Sequence, residues 1–236
     1  MKHPIFLLAV LSFATAARAA DPSPVAPEFF HAANFDWRAV LAPPSAEDSI
    51  AAQGEHELAR VLDAARTPEQ AALAKHYEKF DEFSLMAPVL GDWCTAQNLL
   101  RTHAIFQQVS REARSTVEAA KAAWNRPRPY VHNPALHPAV AKSVTTSYPS
   151  GHAYSASCIA AVLTALFPEH AADWEKQAAL VRWSRVVGGA HYPSDVTAGK
   201  ILGEAVAHEM LKSPKMQQAL AEIRAEAAPF FRKKAA

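Results

Sequence analysis

The sequence predicts an all-α protein organised as a single helical bundle, and three observations carry that expectation. Of 236 residues, 51 are Ala and only 7 are Gly, and Ala is the strongest helix former while Gly is among the weakest. Apolar residues recur at helical spacing through most of the chain. No segment of useful length alternates apolar and polar residues in the way a half-buried strand requires. With 50% hydrophobic and 20% charged residues, the chain has the balance of one that buries a core. Its 24 Lys and Arg nearly cancel its 23 Asp and Glu, which leaves no electrostatic footprint for nucleic acid.

The first element is an address. Lys2 precedes the apolar run Ile5 to Phe13, and Ala17-Arg18-Ala19 has the small-x-small form of a cleavage site, so residues 1–19 read as a secretory signal peptide. Its removal takes away Lys2 and Arg18 and shifts the formal net charge from +1 to −1. The run is too short for a permanent span, and no later stretch reaches that length. The expectation is export across the inner membrane into a bacterial periplasm, with no stable membrane insertion. Two cysteines are too few for a disulfide framework; Cys94 and Cys158 either pair in that oxidising space or stay as buried thiols.

Residues 20–44 carry Pro at 22, 24, 27, 43 and 44 and read as an extended arm ahead of an all-α domain over 45–236. Ser45 with Asp48 three residues on predicts a helix to about Arg66. Thr67-Pro68-x-Gln70 is a capping box with Pro at the first helical position, and it opens a second helix that Pro88 and Gly91 end. Residues 95–124 form a long helix, with Leu99, Phe106, Val109, Ala113, Val117, Ala120 and Trp124 on one stripe. From Arg126 to Pro149 the helical pattern stops, with Pro at 127, 129, 134, 138 and 149, and a loop of that length in a compact domain is usually functional. Helices resume over Ser150–Leu166, Pro168 to about Val187, Ser194 to Leu211, and from Ser213-Pro214 onward.

Three polar residues interrupt apolar stripes in the C-terminal half. His152 heads the stripe Ala156, Ile159, Leu163 and Leu166; Arg185 follows Trp174, Ala178 and Val181; Asp195 shares a face with Ala198 and Leu202. Singly, these are commonplace: a helix-start His, a carbonyl-capping Arg, an N-terminal Asp. As a set they lie within Lys121-x6-Arg128-Pro129, Pro149-Ser150-Gly151-His152 and Ser184-Arg185-x5-His191-x3-Asp195. Lys121, Arg128 and Arg185 are three cations, and Ser150-Gly151 opens a helix whose free amides and positive dipole end suit an oxyanion. Such a pocket fits phosphate and opposes a divalent cation, so no metal and no cofactor is expected there.

These segments resemble the tripartite signature of the type 2 phosphatidic-acid-phosphatase (PAP2) and vanadium haloperoxidase superfamily. The upstream Leu41-Ala42-Pro43-Pro44, followed by a charged helix ending near Arg66-Thr67, is similar to the start of bacterial class A non-specific acid phosphatases. One departure stands out: class A enzymes read Gly-Ser-Tyr-Pro-Ser-Gly-His-Thr, and Thr146 and Ala153 replace the first and last residues here. The resemblance implies a helical bundle of the acid phosphatase/haloperoxidase type and hydrolysis of a small phosphate ester. It implies that His191 is the nucleophile, Asp195 its orienting carboxylate and His152 the general acid. Phosphate would be held by Lys121, Arg128, Ser150, Gly151 and Arg185. Because His152 must be protonated to act, the rate optimum is expected at about pH 5–6. Arg126 is expected at the surface or the entrance, and Tyr148 with the 130–148 loop around the leaving group. His132 and His137 receive no role. A haloperoxidase, a lipid phosphate phosphatase and a silent anion-binding module remain alternatives, and self-association is left open.

Overall fold

The computed structural model describes residues 28–234, so the expected signal peptide lies outside the described residues. Ten α-helices follow in chain order: α1 (Trp37–Val40), α2 (Ile50–Ala65), α3 (Pro68–His76), α4 (Glu82–Leu90), α5 (Leu100–Trp124), α6 (Pro129–His132), α7 (Gly151–Leu166), α8 (Ala171–Val187), α9 (Pro193–Leu211) and α10 (Pro214–Lys234). No strand occurs among the described residues. The most extensive helix pair is α7 with α9, followed by α7 with α8. Gly199 and Gly203 make the first of these pairs close: a Cβ at Gly199 would stand 2.5 Å from Ser150 O, and Gly203 meets the Tyr154 backbone in the same way. α7 is therefore central, and ten of its residues are buried.

The expected stripe on α5 is the face that meets the core, where Phe106, Val109, Ala113, Val117 and Ala120 are buried. The described part of the arm, from residue 28, is anchored to the same helix. The Phe29 and Phe30 amides both donate to Glu112 Oε2 at 2.9 Å. Trp37 packs edge-on to Trp124, and Trp124 to Tyr148. Tyr148 is itself buried and its hydroxyl donates to Ala42 O at 2.7 Å. This side chain thus pins the arm, whereas the sequence reading put it around a leaving group.

Other boundaries also differ from expectation. Ser49, and not Ser45, caps α2, because the chain first makes a turn closed by Ser49 N on Ala46 O. The helix expected from Pro68 to Pro88 is two helices. Its N-terminal capping box forms as read, but the first helix ends at His76, and Asp81 with Ser84 forms a second capping box that starts α4. Pro88 sits inside α4, where it removes one amide, and Gly91 ends the helix with φ 115°. The break at residues 77–81 has a use, since it turns backbone carbonyls toward the polar centre described next. Cys94 and Cys158 are both free and buried, and burial pushes each thiol up to about 12. Among the described residues, no helix is long and apolar enough to cross a membrane.

Candidate active site

The expected residues converge at the N-terminal ends of α7 and α9. Tyr192 N accepts no role in the helix ladder and donates to Asp195 Oδ2 at 2.8 Å, so the carboxylate closes a capping box on α9. That bond fixes the rotamer of Asp195, which is wholly buried. Its Oδ2 also accepts from Ser147 Oγ at 2.6 Å, and its Oδ1 from Arg126 Nη1 at 2.7 Å. A carboxylate so placed needs these partners, because an unpaired buried charge is costly. Burial acts to raise the Asp195 pKa, but His191, Arg126 and Ser147 outweigh it and hold the group below its ordinary value.

His191 is 4% exposed and stands between an anion and a cation. Its Nδ1 is 3.3 Å from Ser147 Oγ and 3.5 Å from Asp195 Oδ2, and its Nε2 is 3.2 Å from Arg128 Nη1. A guanidinium only donates, so Nε2 must present its lone pair and Nδ1 must carry the hydrogen. Burial and the neighbouring Arg128 push the pKa down to about 3, with Asp195 acting in the opposite direction. The ring is thus a neutral imidazole whose free nitrogen faces the cations.

Arg128 is held by Thr145 through Nε to the carbonyl at 2.7 Å and Nη2 to the hydroxyl at 3.0 Å, with Nη1 also on Ala190 O at 3.1 Å. Lys121, in the last turn of α5, donates to Thr146 O at 2.5 Å, and burial with the charge of Arg128 lowers it to about 8. Arg185 is 3% exposed; Nη1 reaches Ala74 O and Tyr77 O at 3.4 and 3.3 Å, while its buried Nε has no hydrogen-bond partner. These carbonyls belong to the end of α3 and the break behind it, where the helix dipole favours a cation. Even so, burial lowers Arg185 to about 10. A buried guanidinium with an idle donor is a group awaiting an acceptor.

Ser150 is the N-cap of α7 and accepts from Ala153 N, while its own amide donates to Asp195 O at 2.9 Å. Of the expected Ser150 and Gly151 pair, only Gly151 therefore keeps its amide clear of Asp195. Next in the chain, His152 places Nε2 3.1 Å from Glu78 O, a carbonyl supplied by the same break in the helix. Burial, followed by the charge of Arg185, lowers this ring to about 4. Lys121, Thr145, Gly151 and His152 line a groove of about 560 Å³ whose walls also include Phe80 and Arg111.

Arg126 is the main residue that the sequence reading misplaced. It is 3% exposed, it bridges Asp195 and Glu55, and Glu55 in turn accepts from the amide and hydroxyl of Ser194. Its guanidinium also lies 4.4 Å from the centre of the Tyr192 ring. Ser147, Thr145 and Glu55 were given no role in the sequence reading either, although Ser147, directly before the cis Tyr148-Pro149 bond, lies within the motif that carries the resemblance.

Comparison with known proteins points the same way. The PAP2 superfamily model matches residues 104–219. A non-specific acid phosphatase from Salmonella typhi is 31% identical over 138 residues, which cover 57% of this chain and 52% of that protein. The chain thus spans about half the length of that relative. A bacterial vanadium-dependent iodoperoxidase has a similar fold, with a TM-score of 0.58 at 16% identity over 73% of this chain and 52% of that one. A transmembrane PAP2-type phosphatidylglycerolphosphate phosphatase from Bacillus subtilis aligns with a TM-score of 0.52 at 20% identity, over 70% of this chain and 87% of that one.

Proposed function

Because residues 104–219 of this chain belong to the PAP2 superfamily, we propose that it is an acid phosphatase that hydrolyses phosphate monoesters through a phosphohistidine. The observation that carries this reading is His191 itself: a neutral, buried imidazole, with Nδ1 toward Asp195 and Nε2 toward Arg128. Binding alone would need the cations and the α7 N-terminus; it would not need a nitrogen lone pair oriented by a buried carboxylate.

In the proposed reaction the phosphoryl group enters beside Arg128, with its equatorial oxygens on Lys121, Arg128, the idle Arg185 Nε and the first turn of α7. Nε2 of His191 forms a bond to phosphorus as the bond to the ester oxygen breaks. Nδ1–H stays on the ring, and Asp195 stabilises the cation that results. His152 donates its proton to the leaving oxygen. Since Nε2 of that ring faces Glu78 O, Nδ1 is the atom that exchanges the proton. Neutral His152 then takes a proton from water, which attacks the phosphohistidine and releases phosphate. Positive charge comes from the side chains, so no metal enters these steps. Export to the periplasm belongs to the same reading.

The test is p-nitrophenyl phosphate hydrolysis at mildly acidic pH with excess chelator, followed by acid-free trapping of labelled protein. Turnover that chelator spares and vanadate blocks, with label on a histidine, supports the reading. Turnover abolished by chelator while circular dichroism shows the protein still folded would overturn the cation-pocket chemistry.

A further inference from the structure

Away from His191, the chain gathers Glu47 from the segment before α2, His56 from α2 and His132 from the end of α6, with donor atoms all within 4.8 Å of one another. Glu47 Oε1 is 3.1 Å from His56 Nε2 and 2.9 Å from His132 Nδ1, and the two imidazole rings stack with centroids 3.7 Å apart. Hydrogen bonding does not account for this arrangement. His56 Nε2 is buried without a hydrogen-bond partner although the carboxylate is near. The spacing is that of donors to one tetrahedral ion, where bonds of about 2.1 Å put neighbouring donors about 3.4 Å apart; turning either stacked ring out of the stack would bring its nitrogen to such an ion.

A second observation points into the same place. Tyr192 is 2% exposed and its hydroxyl is buried without a partner. With His56 and His132 it lines a cavity of about 400 Å³. Arg60, on the same cavity wall, is paired with Glu57 at 2.6 Å, so its charge is already met.

We propose that Glu47, His56 and His132 bind a divalent first-row metal of the zinc class, as three protein ligands with a fourth position open toward the Tyr192 side of the cavity. Two imidazoles and a carboxylate suit Zn²⁺ and disfavour Mg²⁺, which prefers an all-oxygen shell. The site is separate from the phosphate pocket but mechanically tied to it. His132 closes the short helix that Arg128 caps, and His56 follows Glu55, the partner of Arg126 and Ser194. A bound ion would cross-link α2 to the segment carrying both arginines. Its effect is on stability, since no reaction step passes through it.

The experiment is calorimetric titration of the chelator-treated protein with Zn²⁺ and, separately, Mg²⁺, together with thermal melting. One Zn²⁺ per chain should bind, raise the melting temperature with concentration and have no Mg²⁺ counterpart. His132→Ala and Glu47→Gln, both at exposed positions, should weaken binding by about a hundredfold or more, and His208→Ala should leave it unchanged. No saturable binding to the parent protein, or equal affinity in His132→Ala and Glu47→Gln, would overturn the assignment.

Discussion

Arg126 Nη1 lies 2.7 Å from Asp195 Oδ1, and both side chains are almost completely withdrawn from water. This pair connects the loop after α5 to the first turn of α9, and it makes a buried negative charge tenable beside His191. Glu55, at 2.7 Å from Arg126 Nη2, completes a three-residue chain of alternating charge that runs from α2 to the candidate site.

Arg126→Ala should therefore act on folding as well as on rate. Removing one member of a buried pair strands the other, which costs about 3–5 kcal/mol. Urea denaturation of the variant should show a loss of that size. A loss below about 1 kcal/mol would mean that Glu55 and Asp195 are solvated in the native protein.

His191→Ala should behave in the opposite manner, with turnover lost by about 10⁴-fold or more and the far-ultraviolet circular dichroism unchanged. Ser147→Ala tests the orientation of the same ring. It removes the hydroxyl that touches both Nδ1 and Asp195, so kcat should fall about tenfold with KM little altered and about 1 kcal/mol of stability lost. A KM effect without a kcat effect would place Ser147 on the substrate instead.

Much of this centre was legible in the sequence, and the omissions share a physical cause. Lys121, Arg128, His152, Arg185, His191 and Asp195 could be found because their motifs have fixed spacing and because three of them interrupt apolar stripes. The x6 spacing from Lys121 selects Arg128, but no local pattern marks Arg126 as buried, for its burial depends on Glu55, 71 residues earlier. Likewise, the break after His76 is set by a second capping box, Asp81 to Ser84, in a stretch whose composition remains helical. Its purpose appears only in three dimensions, where Tyr77 O and Glu78 O meet Arg185 and His152. The Glu47, His56 and His132 cluster joins three elements with no shared motif.

His152 as general acid predicts a dependence on the leaving group. An alkoxide needs its proton in the transition state, whereas p-nitrophenolate hardly does. His152→Ala should slow alkyl phosphate hydrolysis by about 10²–10⁴-fold and p-nitrophenyl phosphate by distinctly less. Equal losses on the two substrates would remove the acid role. In the parent protein, bound phosphate offsets the charge of Arg185 and Arg128 that helps depress His152. The pKa governing kcat should accordingly lie above the one governing kcat/KM, with both rates falling as pH rises.

Stability should run against activity on the acid side. His191 and His152 are lowered to about 3 and about 4, below the ordinary histidine value near 6.5. Between those limits the unfolded chain binds more protons than the native one, so stability rises with pH and is lost on acidification. Each ring contributes a slope of up to about 1.4 kcal/mol per pH unit. Asp195, depressed in the native state, adds to the loss only as pH falls through the ordinary Asp range and below. Melting temperatures measured from pH 7 to pH 4 should decline, and added phosphate should reduce the decline by neutralising the cations. A flat profile would show that neither histidine is buried in its neutral form.

Gly199→Ala tests how closely α9 must approach α7 for the site to exist. A Cβ there would stand 2.5 Å from Ser150 O and 2.8 Å from the Ala153 side chain. The first obstacle is backbone at the N-cap of α7, so no side-chain rotation relieves it; α9 must move. Ser150 N donates to Asp195 O at 2.9 Å across the same contact, which means that displacement of α9 disturbs the α7 first turn and the His191–Asp195 pair together. Overpacking of this kind costs about 1–3 kcal/mol, and here it should also lower kcat well beyond what the stability loss explains. Stability by denaturation and turnover at a temperature where the variant is fully folded separate the two effects. Full activity in the folded variant would mean that the His191–Asp195 pair tolerates a change in helix separation, and that the glycine serves packing alone.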